Sequence, residues 1–166
     1  MTKDIQNFKL PAYAEIPDVG LYLEQVVKYI NTCLSPLACL EITPSMVSNY
    51  VKHGYIERPV KKQYSAKQIA YLIFIAITKT VLSMENIMIL FEIQKQQYEP
   101  DLAYNYFCKE FETKLKTVFN ENEEATFVTK SYSEEQKMLH SAVIGTAHIV
   151  YLNDCFERRK SLTDEC

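Results

Sequence analysis

Apolar side chains recur at the spacing of an α-helix along most of this chain, and short polar breaks separate the apolar stretches. The pattern predicts helices over residues 19–31, 44–52, 66–81, 84–97, 102–120 and 134–159. Residues 55–64, YIERPVKKQY, fit no helix; they predict two extended arms around a turn, a small hairpin that we call the wing. The expected fold is therefore all-α with a small β-hairpin wing.

Capping residues mark the ends of several predicted helices. Asp18, Thr43 and Ser65 are expected to cap the first three, because short polar side chains accept hydrogen bonds from the first free N–H groups. Gly54 ends the second helix, since glycine readily takes the left-handed conformation. Ser133 begins a capping-box motif, SEEQ, at the start of the last helix.

The pattern divides the chain into three parts. Residues 1–18 hold two prolines and no periodicity, so we expect an extended arm that lies on the surface or frays. Residues 19–97 carry the first four helices and the wing, and residues 98–166 carry the two longer helices. An acidic loop is expected at residues 120–130 and a loose tail over residues 160–166.

Charge is distributed unevenly along the chain. The whole sequence has a net charge of −3, with 18 Lys and Arg against 21 Asp and Glu. Residues 43–80 hold six Lys or Arg and the single acid Glu57, so this segment is +5 and the remainder is −8. A basic segment in an acidic chain favours a local nucleic-acid face, because screening makes nearby charges count most.

The second predicted helix has the amphipathic form that DNA recognition requires, with an inner face that packs and an outer face that meets base edges. The inward positions are Val47, Tyr50 and Val51. The outward positions are Ser45, Ser48, Asn49 and Lys52. Asparagine pairs well with adenine in the major groove, whereas Arg58, Lys61 and Lys62 of the wing suit phosphates.

Four stretches in order resemble the DNA-binding domain of the MerR family: TPSMVSNYVKHGYI, RPVKKQYS, QIAYLIFIAI and VLSMENIMILF. The matched features are a recognition helix that ends in a tyrosine and a glycine (Tyr50 and Gly54), an Arg58–Tyr64 wing, an Ile- and Leu-rich helix, and a Leu-Ser helix start. The chain is most similar to an uncharacterised bacterial set with the pattern TPSMV-x-NYVK, whose domain has no assigned function. The resemblance implies a MerR-like winged helix-turn-helix in residues 19–97.

Two features depart from the family pattern. Ser48 and Asn49 stand where that family usually has Arg and Tyr, which implies a weaker or differently specific grip on DNA. The predicted helix 84–97 is short, and two further helices follow it in place of a long dimerisation helix.

These observations predict a DNA-binding transcription regulator whose partner is double-stranded DNA. The helix 44–52 would lie in the major groove and wing residues 56–64 on the adjacent backbone. A homodimer is expected because one small module makes few contacts, with residues 98–166 supplying the dimer contact and a small-molecule effector site. The candidate DNA-binding residues are Thr43, Ser45, Ser48, Asn49, Lys52, His53, Arg58, Lys61, Lys62 and Tyr64.

Other interpretations stay open. The same scaffold fits a protein-interaction module without DNA binding, which the acidic second half favours, or a small-molecule sensor that acts without DNA. Tyr50 and Tyr64 also fit as packing residues, and Lys61-Lys62 as a solvated turn. Cys108 and Cys155 fit as small buried groups, with a thiol sensor as the alternative.

No motif indicates catalysis, and we expect neither an enzyme nor a cofactor. The sequence has no phosphate-binding glycine loop. His140 and His148 have no further ligand at metal spacing, so no metal site is expected. Five cysteines without a C-x-x-C pair favour a cytoplasmic location, and the most apolar run, residues 69–77, is too short to cross a membrane.

Overall fold

The computed structural model describes residues 5–120 and 131–164, with side chains as far as residue 162. The main helices are α1 (Leu23–Leu34), α2 (Pro44–Lys52), α3 (Ala66–Thr78), α4 (Met84–Gln97), α5 (Pro100–Phe119) and α6 (Glu134–Asp164). Short strands β1 (Leu21–Tyr22) and β2 (Gln63–Tyr64) pair antiparallel, and 3-10 turns lie at Tyr13–Glu15 and Ser35–Leu37. The described chain is mainly helical with one small two-stranded sheet, as the sequence predicts.

Most predicted helices are confirmed, with shifts at some ends. α2 and α4 span the predicted residues, and α5 and α6 begin at or close to the predicted positions. α3 ends at Thr78, earlier than predicted. α6 continues to Asp164, so the expected loose tail is helical up to that residue. The expected acidic loop falls at residues 121–130, which lie outside the described residues.

α1 begins later than predicted because the chain before it is strand β1. The helix starts where Gln25 Oε1 accepts a hydrogen bond from the Tyr22 N–H group at 2.9 Å. Gly20 precedes the strand with a φ of +79°. This left-handed conformation is strained for other residues, so glycine suits the position; a Cβ there would also lie 2.8 Å from Gln63 Oε1, at the end of a flexible side chain.

The wing is built differently from the predicted hairpin, because β2 pairs with β1 and not with the chain that leaves α2. The N–H groups of Tyr55 and Ile56 both donate to the carbonyl of Tyr50, at 2.8 and 3.3 Å, and so complete the end of α2. Val60 and Gln63 exchange backbone hydrogen bonds of 3.1 and 2.9 Å, which closes a two-residue turn. The wing is therefore a tight turn that leads into β2, and β2 pairs with β1, the strand before α1.

The N-terminal arm packs into the core and does not lie loosely on the surface. Its buried apolar side chains are Ile5, Phe8, Leu10 and Ile16. Phe8 meets Phe111 of α5 edge-on, with ring centroids 6.2 Å apart, and the Tyr104 hydroxyl donates to the carbonyl of Pro11 at 2.9 Å. The arm lacks helical or strand spacing, so its burial depends on partners that a periodicity search does not detect.

α3 is the central helix, as its apolar composition predicts. Lys67, Tyr71 and Phe74 alone among its residues keep partial exposure. The Phe74 ring lies 5.5 Å from that of Phe91 in α4 and 4.8 Å from that of Phe107 in α5. α3 thereby connects the basic half of the chain to the C-terminal helices.

α5 and α6 lie side by side and run in the same direction. Near their beginnings, His140 Nδ1 lies 3.2 Å from Glu110 Oε2, and His140 Nε2 lies 3.4 Å from the Tyr106 hydroxyl. Near the end of α5, the ring centroids of Phe119 and Tyr151 are 5.3 Å apart. Because both sets of contacts advance together along the two helices, the pair is parallel and not the antiparallel hairpin typical of sequential helices.

Candidate nucleic-acid interface

α2 has the two faces that the sequence predicts. Val47 and Tyr50 are buried, and Val51 packs partly against the core. On the opposite face the exposed residues are Ser45, Ser48, Asn49 and Lys52, and His53, which follows the helix, is exposed as well. Their side chains are donors and acceptors of the kinds that contact base edges and phosphates.

Two side chains fix the start of α2. The Thr43 hydroxyl accepts a hydrogen bond from the Met46 N–H group at 3.2 Å, which confirms the predicted cap. Asn31 of α1 donates from Nδ2 to the carbonyl of Ile42 at 2.9 Å and accepts from the Ile42 N–H group at 3.0 Å. Asn31 therefore holds Ile42, the residue just before the cap, through two hydrogen bonds. The sequence had suggested only that the first helix ends at Asn31.

Gly54 ends α2 in the predicted manner. Its φ is +75°, and no atom would lie within 4 Å of a Cβ at this position. Backbone conformation, and not crowding, therefore makes glycine the suitable residue here. The turn that it creates leads the chain directly from α2 into the wing.

Lys61 and Lys62 form the tip of the wing in an unusual backbone conformation. Their φ values are +50° and +64°, the pattern of a type I′ turn between Val60 and Gln63. Such turns normally contain Asn and Gly, and a lysine in the left-handed region costs on the order of 1 kcal/mol. The fold thus keeps two exposed lysines at a position where their backbone is strained.

The base of the wing is tied to the start of α3. Gln68 is buried; its Nε2 donates to the carbonyl of Glu57 at 2.9 Å, and its Oε1 accepts from the Ser65 N–H group at 2.8 Å. Asp18 accepts from the Ala66 N–H group at 2.9 Å, so it caps α3 and not the first helix as predicted. The serine-x-x-glutamine spacing was a signal for the Gln68 contact, whereas the Asp18 contact spans distant residues and had none.

The six cations of the basic segment fall into two groups. Lys67 pairs with Glu57 at 3.4 Å, and Lys79 donates to the carbonyl of Glu41 and lies 3.9 Å from Met46 Sδ. Burial lowers the pKa of Lys79, as expected for an amine that serves the fold. The other four are exposed and have no ion pair with any described residue: Lys52, Arg58, Lys61 and Lys62. We call them the four exposed cations.

Tyr64 does not belong to the candidate surface. Its side chain is only 4 % exposed, and burial raises its pKa. Tyr64 therefore packs in the core and supports the wing, which favours the packing role considered for it, and we leave it out of the candidate surface. Tyr50 is buried as well, which agrees with the packing role considered for both rings.

Burial shifts the pKa of three cysteine thiols among the described residues. Burial raises the pKa of the Cys108 thiol to about 12, and burial also raises the pKa of Cys33 and of Cys39. Thiols in such surroundings are poor nucleophiles. Within residues 5–120 and 131–164, no group of three or more His, Cys, Asp or Glu side chains has the arrangement of a metal site. No helix of this part of the chain has the length and apolar character needed to cross a membrane.

Comparison with family models gives a match over more than half of the chain. The model of a family described as a domain of unknown function, DUF1836, matches residues 11–107. The matched range includes α1 to α4, the wing and the first part of α5, and therefore the whole candidate interface. No curated protein and no solved structure matches the chain.

Proposed function

The chain belongs to the DUF1836 family, and we propose that it is a DNA-binding transcription regulator of the helix-turn-helix type. α2 would lie in the major groove of double-stranded DNA, and the wing would contact the adjacent backbone. One observation carries the proposal: the exposed polar face of α2 and the four exposed cations occupy one continuous segment, residues 45–62.

The four exposed cations would supply the affinity. A cation that is already paired within the protein gains little from a phosphate, whereas an unpaired one displaces a condensed counterion. About four neutralised phosphates give a slope of about −3.6 for log affinity against log salt per protomer. The strain at Lys61 and Lys62 supports this role, because a fold keeps such strain where the residues serve a purpose beyond stability.

The exposed face of α2 would supply the selectivity. The Asn49 amide can donate to and accept from the edge of adenine, and one such bidentate contact discriminates bases by about 1–3 kcal/mol. Ser45 and Ser48 are short hydroxyls that adapt to several bases. Because Thr43 and Asn31 fix the start of α2, the helix would meet DNA as a rigid element.

The order of elements supports the finer proposal of a MerR-like winged helix-turn-helix. A strand, α1, α2, the wing and α3 follow one another, and the wing strand pairs with the strand before α1. Ser48 and Asn49 still stand where the MerR family usually has Arg and Tyr, and α4 is only 14 residues long. We therefore propose weaker phosphate binding at α2, with a larger share carried by the wing.

A homodimer through α6 is part of the proposal. α6 continues for several residues beyond Tyr151, the position that faces the end of α5. Apolar side chains in this extension are exposed: Leu152 by 47 %, Phe156 by 58 % and Leu162 by 68 %. A short helical end without packing is marginal in water, so a second copy of α6 would stabilise it. Sedimentation of Phe156→Glu would test this, since the variant should be monomeric.

A protein-interaction module on the same scaffold is the second candidate. The net charge of −8 outside the basic segment and the absence of Arg at position 48 favour it. This function predicts a stable protein partner and no retention of DNA. Substitution of Asn49 would then leave partner binding unchanged unless the partner also contacts α2.

Selection of genomic fragments by the purified protein tests the proposal. At low salt, we expect enrichment of a palindromic motif, because a two-fold dimer binds two half-sites. The Asn49→Ala variant should keep most of its affinity and lose preference at one position of each half-site. A folded protein that enriches no fragment would contradict the proposal and favour the interaction module.

A further inference from the structure

A cavity of about 370 Å³ lies between α3, α4, α5 and the first turns of α6. Its floor is aromatic and includes Tyr71, Phe74, Phe91, Tyr104 and Phe107. The Phe91 ring lies 4.6 Å from that of Tyr71, and both rings are set edge to face. Concave, mainly apolar cavities of this size are typical of small-molecule sites.

Two polar side chains of the lining, Tyr71 and Gln94, already have partners. The Tyr71 hydroxyl donates to Gln94 Oε1 at 2.7 Å, and Gln94 Nε2 donates to the carbonyl of Tyr98 at 2.7 Å. Lys67 pairs with Glu57, which does not line the cavity, and Glu135 is half-buried and hydrogen-bonded to Ser133. The one lining charge without an ion pair among the described residues is Glu135, in the first turn of α6 and away from the aromatic floor. A charged ligand would lose its hydration among the rings, so the floor favours an uncharged ligand.

We propose that this cavity is a binding site for an uncharged, largely aromatic small molecule. Aromatic rings on several sides of the cavity can pair edge-to-face or stacked with the ring of a ligand. An aliphatic ligand cannot form these ring pairs. The lining comes from four helices, and this favours a compact occupant over a partner helix about 10 Å across. The site goes beyond the proposed function, and its test needs no DNA.

N-phenyl-1-naphthylamine is a suitable probe because it is uncharged and aromatic and fluoresces strongly once it leaves water. Titration of the full chain should give saturable binding with one site per chain. Ala103→Phe places a ring in the cavity and should raise the dissociation constant by about tenfold or more. Ala14→Phe is the matched control, since Ala14 is exposed on the arm and does not line the cavity; its dissociation constant should equal that of the wild type.

A second variant keeps the test decisive if Ala103→Phe does not fold. Leu102 lines the cavity mouth and is 62 % exposed, so Leu102→Glu removes no core contact. A carboxylate in the first turn of α5 also suits the helix dipole. This variant should fold normally and bind the probe more weakly than the wild type.

Three results would overturn the proposal. The first is the absence of saturable binding to the folded wild type. The second is equal affinity in the wild type, Ala103→Phe and Leu102→Glu, which would place the dye elsewhere. The third is a dimer that Ala103→Phe converts to a monomer while dye binding stays unchanged, because the cavity would then hold a second copy of the chain.

Discussion

The basic segment, residues 43–80, and the C-terminal helices α5 and α6 are stabilised in different ways. At the basic segment and just before it, polar side chains fix the junctions: Asn31 of α1 binds the residue before the α2 cap, Thr43 caps α2, and Gln68 holds the base of the wing. The C-terminal helices rely on buried rings such as Phe107 and Phe111. The first arrangement orients an exposed surface, whereas the second supplies core volume and encloses a cavity.

The largest effect should come from the core of the C-terminal helices. Leu115 of α5 is fully buried, and Leu115→Ala should lower the free energy of unfolding by about 2–5 kcal/mol. Leu102→Ala on the same helix is the matched control, because Leu102 is 62 % exposed and its loss should cost far less. Urea unfolding followed by far-UV circular dichroism measures both.

Amide hydrogen exchange of the Leu115→Ala variant tests whether the two regions unfold together. Since Phe74 of α3 packs on Phe107 of α5, we expect Leu115→Ala to lower amide protection in α2 and α3 as much as in α5. Unchanged protection in α2 and α3 would show that the basic segment is stable by itself. The two regions would then be separate folding units.

Loss of a junction in the basic segment should have the next largest effect. Asn31→Ala removes both hydrogen bonds to Ile42 and should destabilise the chain by about 1–3 kcal/mol. Asn153→Ala in α6 is the control, because the Asn153 side chain is exposed and its bond to the carbonyl of Ile149 is replaceable by water. Equal effects of the two substitutions on the midpoint of urea unfolding would contradict the positioning role of Asn31.

Replacement of the strained lysines should stabilise the fold. Lys61→Asn with Lys62→Gly installs the preferred pair of a type I′ turn and should raise the free energy of unfolding by about 1 kcal/mol. The double variant Lys109→Ala with Lys116→Ala removes the same charge from exposed positions of α5 and controls for net charge. A loss of stability in the turn variant would mean that the two lysines are not strained.

The smallest effect should come from a cation that the fold already pairs. Lys67→Ala breaks an exposed pair with Glu57 and should change stability by less than about 1 kcal/mol. We also expect it to leave the salt dependence of DNA affinity unchanged, whereas Lys62→Ala should flatten that dependence by about 0.9. Equal slopes for the two variants would remove the distinction between paired and exposed cations.

The basic segment was largely predictable because its signals are local. Thr43, Gly54 and Ser65 act on neighbouring backbone groups, so their roles follow from sequence spacing alone. The partner of β2 was not predictable in this way. A two-residue strand carries almost no pattern, and its pairing with the chain before α1 depends on the conformation of Gly20.

The C-terminal helices were predictable as elements and not as an arrangement. The helical spacing of apolar residues locates α5 and α6, but no residue pattern distinguishes a parallel pair from an antiparallel one. The effector site was expected in residues 98–166, whereas the observed cavity also uses α3 and α4. Contacts between distant segments, such as Phe74 with Phe107, decide both features, and sequence spacing does not encode them.

The most direct test of the account is the salt dependence of binding to a mixed-sequence DNA duplex. Wild-type protein should give a slope of about −3.6 per protomer in log affinity against log salt. The variant Lys61→Asn with Lys62→Gly keeps the turn and loses two charges, so its slope should be about −1.8. A wild-type slope near zero, or the same slope in both proteins, would contradict the assignment of the wing as a DNA-binding element.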